Sequence, residues 1–159
     1  MVDVLAVTTP RELAEALALR EAVLAGAAEP WATRDDFDRD PTTLHCIVRG
    51  PDGVCVGAGR LVAPVDVEDD GERIEGNPVV GPIVVAPSAR GGGVGAAILA
   101  YLEAEAVALY GHNGAVRVET WVPAGADGPA SRLGYGPVGD VRDGAERPAL
   151  RAAKDLAAS

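Results

Sequence analysis

One stretch of the chain carries most of its information: Val84-Val85-Ala86-Pro87-Ser88-Ala89-Arg90-Gly91-Gly92-Gly93-Val94-Gly95-Ala96-Ala97-Ile98-Leu99. It begins with β-branched residues typical of a strand, continues as an arginine followed by glycines, and ends with the apolar spacing of a helix. The first N–H groups of a helix lack partners within it and carry a positive partial charge. Because glycines let an anion approach the backbone and Arg90 adds a full charge, we predict a phosphate-binding turn.

Length and composition limit the class of protein. The chain has 159 residues, of which 48% are hydrophobic, so we expect a single domain over residues 1–159 with a substantial core. No apolar run reaches the roughly 18 residues that span a bilayer, and the N-terminus lacks the pattern of a signal peptide. We therefore expect a cytoplasmic protein with no membrane partner.

The charge balance argues against polyanionic partners. The formal net charge is −10 at pH 7, which disfavours nonspecific nucleic-acid binding and favours cationic substrates. The only lysine is Lys154, so no lysine follows a glycine within the turn and a Walker A loop is excluded. No cysteine and histidine residues stand at metal-ligand spacing, so no metal is predicted.

The two cysteines are predicted to be free thiols. A hairpin turn over residues 50–53 would place Val48 opposite Cys55 and Cys46 diagonally across from Cys55. Diagonal neighbours are about 7–8 Å apart, at or beyond the usual limit for a disulfide.

The remaining pattern predicts alternating strands and helices. Thr9, Pro10 and Glu12 read as the N-cap, first residue and third residue of a helix. The elements expected after that helix are strands over 44–49 and 54–62, an exposed acidic loop over 66–75, a buried strand over 79–86, a loop and then a helix over 91–110 with Ile98, Leu102, Ala106 and Leu109 buried, a strand over 115–122, and a last strand pair ending near Leu150.

The glycine turn alone is open to several interpretations. Gly91-x-Gly93-x-x-Ala96 fits a dinucleotide-binding turn, with Glu119 on the next strand as the acid for a ribose. However, four residues separate the strand from the first glycine, and too little chain follows for a doubly wound sheet. The glycines also fit close packing without a ligand, but that interpretation leaves Arg90 unexplained.

The same turn resembles the signature of the GNAT superfamily of acyl-CoA-dependent N-acyltransferases. The matching pattern is Val85-x-Pro87-x-x-Arg90-Gly91-x-Gly93-x-Gly95. Further segments are similar to ElaA-type members of that superfamily: Leu19-Arg20-Glu21-Ala22-Val23-Leu24, Asp36-x-Asp38 followed by His45, Gly57-x-Gly59-Arg60-Leu61, Arg132-Leu133-Gly134-Tyr135-Gly136-Pro137-Val138-Gly139, and Asp143-Gly144.

The resemblance implies a fold and a cofactor. The fold would be α/β (α+β), a mixed, mostly antiparallel sheet of six to seven strands flanked by helices and splayed between the strands around 83–85 and 118–120. The cofactor would be acetyl-CoA. The residues that would contact it are Ile83, Val84 and Val85 along the pantetheine arm, and Arg90, Gly91, Gly92, Gly93, Val94, Gly95 and Ala96 around the diphosphate.

The resemblance also implies a reaction, the direct attack of a primary amine of a small molecule or peptide on the acetyl carbonyl. Glu119 is the expected general base, with Glu75 and His45 as weaker alternatives, and homodimers are common in the superfamily. Many members carry a tyrosine that protonates the departing thiolate. This chain has Ala130 at that position, with Ser131 beside it to carry a water molecule.

The missing tyrosine keeps a second class of function open. In that interpretation the chain binds coenzyme A with little or no catalysis and acts as a sensor or as a subunit of a complex.

Overall fold

The structure, a computed structural model, describes residues 2–25, 34–123, 133–141 and 149–158. Two short 3₁₀ helices, Asp36–Arg39 and Pro87–Ala89, accompany the main elements. The strands and α-helices are β1 (Leu5–Ala6), α1 (Pro10–Leu24), β2 (Leu44–Arg49), β3 (Cys55–Val62), β4 (Val67–Asp69), β5 (Glu72–Ile74), β6 (Val79–Val80), β7 (Val84–Val85), α2 (Val94–Tyr110), β8 (Ala115–Pro123), β9 (Gly136–Val141) and β10 (Ala149–Ala157).

The chain divides into two compact units. The first comprises Met1–Leu61 and Val80–Leu102, and the second comprises Val62–Val79 and Glu103–Ser159. The single domain predicted for residues 1–159 stays a prediction.

In the first unit, β1, β2 and β3 pair antiparallel in chain order, and β7 pairs antiparallel with β3. One cluster of its core combines small and branched side chains from one helix and three strands: Ala16, Ile47, Ala58 and Val84. This cluster buries one face of α1 against the strands, and burial of this kind is the main favourable contribution to folding.

The start of α1 confirms the predicted cap. The Thr9 hydroxyl accepts a hydrogen bond from the Glu12 N–H at 3.2 Å, and the Glu12 carboxylate accepts one from the Thr9 N–H at 3.1 Å. Pro10 occupies the first turn, where its missing N–H costs nothing. The cap fixes where the helix begins.

In the second unit, β8 and β10 pair antiparallel over nine residues, and β10 also pairs with β9. β6 pairs parallel with β8, with Val79 opposite Glu119. The pairings of both units confirm the predicted fold class, an α/β protein with a mixed, mostly antiparallel sheet and flanking helices. No α-helix in the described ranges is both long and apolar enough to cross a membrane.

Several expected elements are wrong in detail. The single strand over 79–86 is interrupted: Gly81 has φ of +116°, and Pro82 has no N–H to donate, so β6 and β7 are separate. The acidic segment over 66–75 is not a loop but the β4–β5 hairpin. The last strand runs on to Ala157 rather than ending near Leu150.

Two residue-level expectations also need correction. Leu109 is 56% exposed rather than buried, because it lies on an open face in the last turn of α2, whereas Ile98, Leu102 and Ala106 are buried as predicted. Cys55 lies opposite Arg49, and Val48 lies opposite Gly57, because a bulge at Val56 shifts the register. Both cysteines are nevertheless free, as expected.

Candidate functional site

The turn between β7 and α2 uses glycine where the backbone requires it. After the 3₁₀ turn Pro87–Ala89, Arg90 is extended, with φ of −68° and ψ of 148°. Gly91 and Gly93 then adopt φ of +83° and +81°, a conformation that other residues reach only with strain. Two of the glycines are therefore explained by the path of the chain itself.

The first turn of α2 presents unpaired donors. The Ala97 N–H donates to the Gly93 carbonyl at 3.0 Å, and this is the first bond of the helix. The four N–H groups over residues 93–96 precede it and have no acceptor within the helix. Arg90 is exposed beside them, and no ion pair is found for it within the part of the chain that the structure describes. A positive partial charge and a full one thus lie at the same turn.

The space around this turn is open. A Cβ placed on Gly91 or Gly93 would meet nothing within 4 Å, and one on Gly92 would meet only the Ala89 carbonyl oxygen at 3.6 Å. The backbone is therefore accessible to a bulky anion. These residues fit the diphosphate of a coenzyme A molecule, which needs convergent N–H donors and close approach to the main chain.

The position of the turn is set by β3 beneath α2. A Cβ on Gly57 would lie 2.6 Å from Val94 Cγ1, and one on Gly59 would lie 2.6 Å from Ile98 Cγ2. Such distances are impossible without movement, so both glycines are required for the helix to pack this closely on the strand. The Gly57-x-Gly59 pattern noted in the sequence has this structural basis.

The β7 strand has one paired edge and one edge without a strand partner among the described residues. The Ala86 N–H donates to the Val56 carbonyl at 2.8 Å, so Ala86 and Val56 form a hydrogen-bonded pair. Val85 lies opposite Gly57, and these two residues form the adjacent pair, which is not hydrogen-bonded. The N–H and C=O of Val85 therefore point away from β3. Among the described strands, β7 pairs only with β3. Its second edge can accept an extended ligand.

Glu119, the expected general base, lies in β8. Its N–H donates to the Pro78 carbonyl at 2.9 Å. Its side chain is 12% exposed, and a carboxylate oxygen lies 3.1 Å from Arg151 Nε. The carboxylate is thus partly buried and paired with a guanidinium. Its catalytic role stays a prediction, and Ser131 lies outside the described residues.

Tyr135 is buried, as expected of a core residue. Its hydroxyl donates to the Glu103 carboxylate at 3.2 Å, and Lys154 Nζ lies 3.1 Å from the same carboxylate. Burial, together with the nearby Glu103 charge, raises the pKa of Tyr135 far above its usual value. The hydroxyl therefore stays protonated at neutral pH.

The sequence alone did not predict one buried polar cluster in the first unit. Arg20, Asp38, His45 and Arg60 are all at least nine-tenths buried, and all four occur in the segments that resemble ElaA-type proteins. One signal was available: Arg20 follows Ala16 and Leu17 at the spacing of the buried face of α1.

Glu75, the other alternative base, is exposed.

The chain matches the model of the acetyltransferase (GNAT) family over residues 12–127. It therefore belongs to the GNAT family, whose members carry out acyl transfer. No curated protein matches the chain.

Solved structures support the same fold. Escherichia coli ElaA is 21% identical, with a TM-score of 0.72 and coverage of 97% of this chain and 99% of its own. An acyl-CoA N-acyltransferase from Pseudomonas aeruginosa is 23% identical, with a TM-score of 0.74 and the same coverage. Naa20 from Chaetomium thermophilum, in complex with a bisubstrate analogue, is 18% identical, with a TM-score of 0.70 and coverage of 98% and 87%.

Proposed function

We propose that the protein is an N-acetyltransferase that moves an acetyl group from acetyl-CoA to a primary amine of a small molecule or peptide. The observation that carries this proposal is the first turn of α2, where unpaired N–H groups, open space and an exposed Arg90 coincide. Membership of the GNAT family supports acyl transfer as the reaction class.

The donor would be held by two parts of the first unit. Arg90 and the N–H groups from Gly91 to Ala96 would bind the diphosphate. The outward-facing backbone groups of Ile83 and the outward-facing carbonyl of Val85 two residues later would pair with the pantetheine amides as an added strand does. When bound, acetyl-CoA supplies an activated acyl group as a thioester.

The chain's own residues would assist the attack in two ways. A backbone N–H such as that of Val85 would donate a hydrogen bond to the carbonyl oxygen as negative charge develops on it. Glu119 would accept the proton that the substrate's ammonium group must lose before it attacks, because only a neutral amine is nucleophilic. Ser131 would hold a water molecule for the departing thiolate.

A second function is favoured by the pairing of Glu119 with Arg151. A carboxylate that forms an ion pair with a guanidinium can have a structural role as readily as it can act as a general base. In that case the protein binds coenzyme A with little or no turnover and acts as a sensor or a subunit of a complex.

Release of free coenzyme A thiol from acetyl-CoA across a panel of primary amines tests the two functions. The protein's own thiols contribute little background, because burial raises the pKa of Cys46 to about 12 and also raises that of Cys55. Turnover with any amine supports the first function. Binding of coenzyme A measured by calorimetry, with no turnover on any amine, supports the second.

Glu119→Gln tests the assignment of the base. We expect the turnover number to fall about 100-fold, the lower end of what a general base contributes, while the dissociation constant for coenzyme A changes little. Glu75→Gln, at an exposed glutamate of the same unit, is the matched control and should keep the wild-type rate. An unchanged rate in Glu119→Gln would remove Glu119 from the mechanism.

A further inference from the structure

The buried cluster of the first unit contains two arginines that share one carboxylate. Arg20 Nη1 lies 2.7 Å and Arg60 Nη1 lies 2.9 Å from the same Asp38 oxygen. Arg60 also forms a paired interaction with Asp35, with Nη1 and Nη2 at 2.5 and 2.7 Å from its two oxygens. Two donors matched to two acceptors hold the Arg60 guanidinium in a fixed plane.

Charge compensation keeps Asp38 ionised beside the two arginines. Burial favours the neutral form of Asp38, but hydrogen bonds from Arg20 and Asp35 and the charges of both arginines outweigh it, so the pKa of Asp38 lies below its ordinary value. A buried guanidinium with several well-placed acceptors is costly to disturb, because removing one partner leaves an uncompensated charge.

The third guanidinium nitrogen of Arg60, Nε, reaches a different segment. Its Nε donates to the Gly81 carbonyl at 2.8 Å, and its own carbonyl accepts from the Gly81 N–H at 3.0 Å. Both backbone polar groups of Gly81 are therefore bound by one residue of β3. Gly81 has φ of +116°, so the chain changes direction at this residue just before Ile83 and β7.

The same strand holds the other end of that segment. Val84 pairs with Ala58, and Val85 pairs with Gly57. β3 thus fixes residue 81 through Arg60 and residues 84–85 through its ladder, and only Pro82 and Ile83 lie between the two anchors. A shift at Gly81 would be transmitted to the backbone groups of Ile83 and Val85.

We infer that Arg60 is a positioning residue for donor binding: its clamp on Gly81, held rigid by Asp35 and Asp38, sets the Ile83–Val85 backbone in place for the pantetheine arm. This inference rests on the proposed function, because it concerns the site at which that function binds acyl-CoA. Arg60 itself need not touch the ligand.

Arg60→Lys is the direct test, with Arg20→Lys as the matched control. Both variants keep the charge of the cluster and lose a planar guanidinium, but the Gly81 carbonyl is bound by Arg60, whereas Arg20 binds Asp38. We expect the dissociation constant for coenzyme A, measured by calorimetry, to rise about tenfold in Arg60→Lys. Both variants should lower the melting temperature by a similar amount. Arg20→Lys should change the affinity for coenzyme A much less than Arg60→Lys does.

Amide hydrogen exchange on the unliganded protein gives a readout independent of activity. In Arg60→Lys the Gly81 and Ala86 N–H groups should exchange faster than in Arg20→Lys. Should Arg60→Lys fail to fold, Asp35→Asn decides instead, since Asp35 is partly exposed. This substitution weakens the pairing of Arg60 with Asp35 and leaves the bonds of Arg60 to Asp38 and Gly81 in place. It should weaken coenzyme A binding and speed exchange at Gly81.

The outcomes separate this inference from the proposed function. If the wild-type protein does not bind coenzyme A, the proposed function fails and the inference fails with it. If the wild type binds but Arg60→Lys and Arg20→Lys bind equally well, or Asp35→Asn binds like the wild type where it is the deciding variant, only the positioning role of Arg60 is overturned.

Discussion

His45 is a histidine that the fold keeps neutral. It is 6% exposed, one ring nitrogen lies 3.0 Å from the Asp38 carbonyl oxygen, and its other nitrogen, Nδ1, has no hydrogen-bond partner in the described residues. Burial lowers the pKa of His45, the positive charges of Arg20 and Arg60 lower it further, and the contacts with Asp38 only partly offset this. Its pKa in the folded protein is therefore below that in the unfolded chain.

This difference makes stability depend on pH in a defined direction. The contribution of neutral His45 is fully present above the unfolded pKa of about 6.5 and is lost as pH falls below it toward the folded pKa. Between pH 7.5 and 5.5 (about one unit either side of that pKa), the free energy of unfolding should fall, by at most about 1.4 kcal/mol per pH unit from this residue.

Urea unfolding across that pH range measures the effect. His45→Gln should show a flatter pH dependence than the wild type. His112→Gln, which removes the chain's other histidine from an exposed position, is the control. Identical slopes for the wild type and His45→Gln would contradict the assignment.

Residues that act through local geometry were predictable from the sequence. Thr9 and Glu12 are three residues apart, so their reciprocal cap is encoded in a short segment. The buried arginines were not predicted, because the partners of Arg60 lie about twenty or more residues away at Asp35, Asp38 and Gly81. Only tertiary folding brings those groups together.

The turn before α2 gives a prediction about an element. Gly92 has no strained conformation, and a Cβ there meets only ordinary contact. Gly92→Glu therefore adds negative charge to the predicted diphosphate site without disturbing the fold. We expect the dissociation constant for coenzyme A to rise at least tenfold, about 1.4 kcal/mol, because the added carboxylate repels the negatively charged diphosphate.

Gly92→Gln is the matched control for this variant, because it has nearly the same size and no charge. It should keep affinity within a few-fold of the wild type, as measured by calorimetry with coenzyme A. Equal losses in both variants would mean that bulk rather than charge matters. Unchanged affinity in both would place the diphosphate elsewhere.

At the level of elements, the hydrophobic periodicity predicted which helices and strands exist better than it predicted where a strand is interrupted. The helices and the strand after α2 have strong patterns, and the structure contains them. The run over 79–86 is apolar throughout, so its pattern did not reveal the break at Gly81 and Pro82. The β4–β5 hairpin was missed because charged residues dominate it, and Arg73 pairs with Asp66 to offset part of that charge.

For the whole molecule, the net charge of −10 gives a prediction about the acceptor. A negative protein attracts cations over distances that salt shortens, since the screening length is about 10 Å at 0.1 M. We expect kcat/KM for a dicationic diamine to fall as ionic strength rises. A zwitterionic amino acid of similar size, as the comparison substrate, should show little change. Equal salt dependence for both would rule out long-range attraction.

The close approach of α2 to Gly57 and Gly59 has a consequence for sequence divergence. These two residues act as a spacer of minimum thickness between the strand and the helix that begins at the turn. A methyl group added at either position would lie too close to the Val94 or Ile98 side chain, so that side chain or the helix that carries it would have to move. Tolerance to substitution at these positions is therefore limited by the geometry of a surface that neither glycine touches.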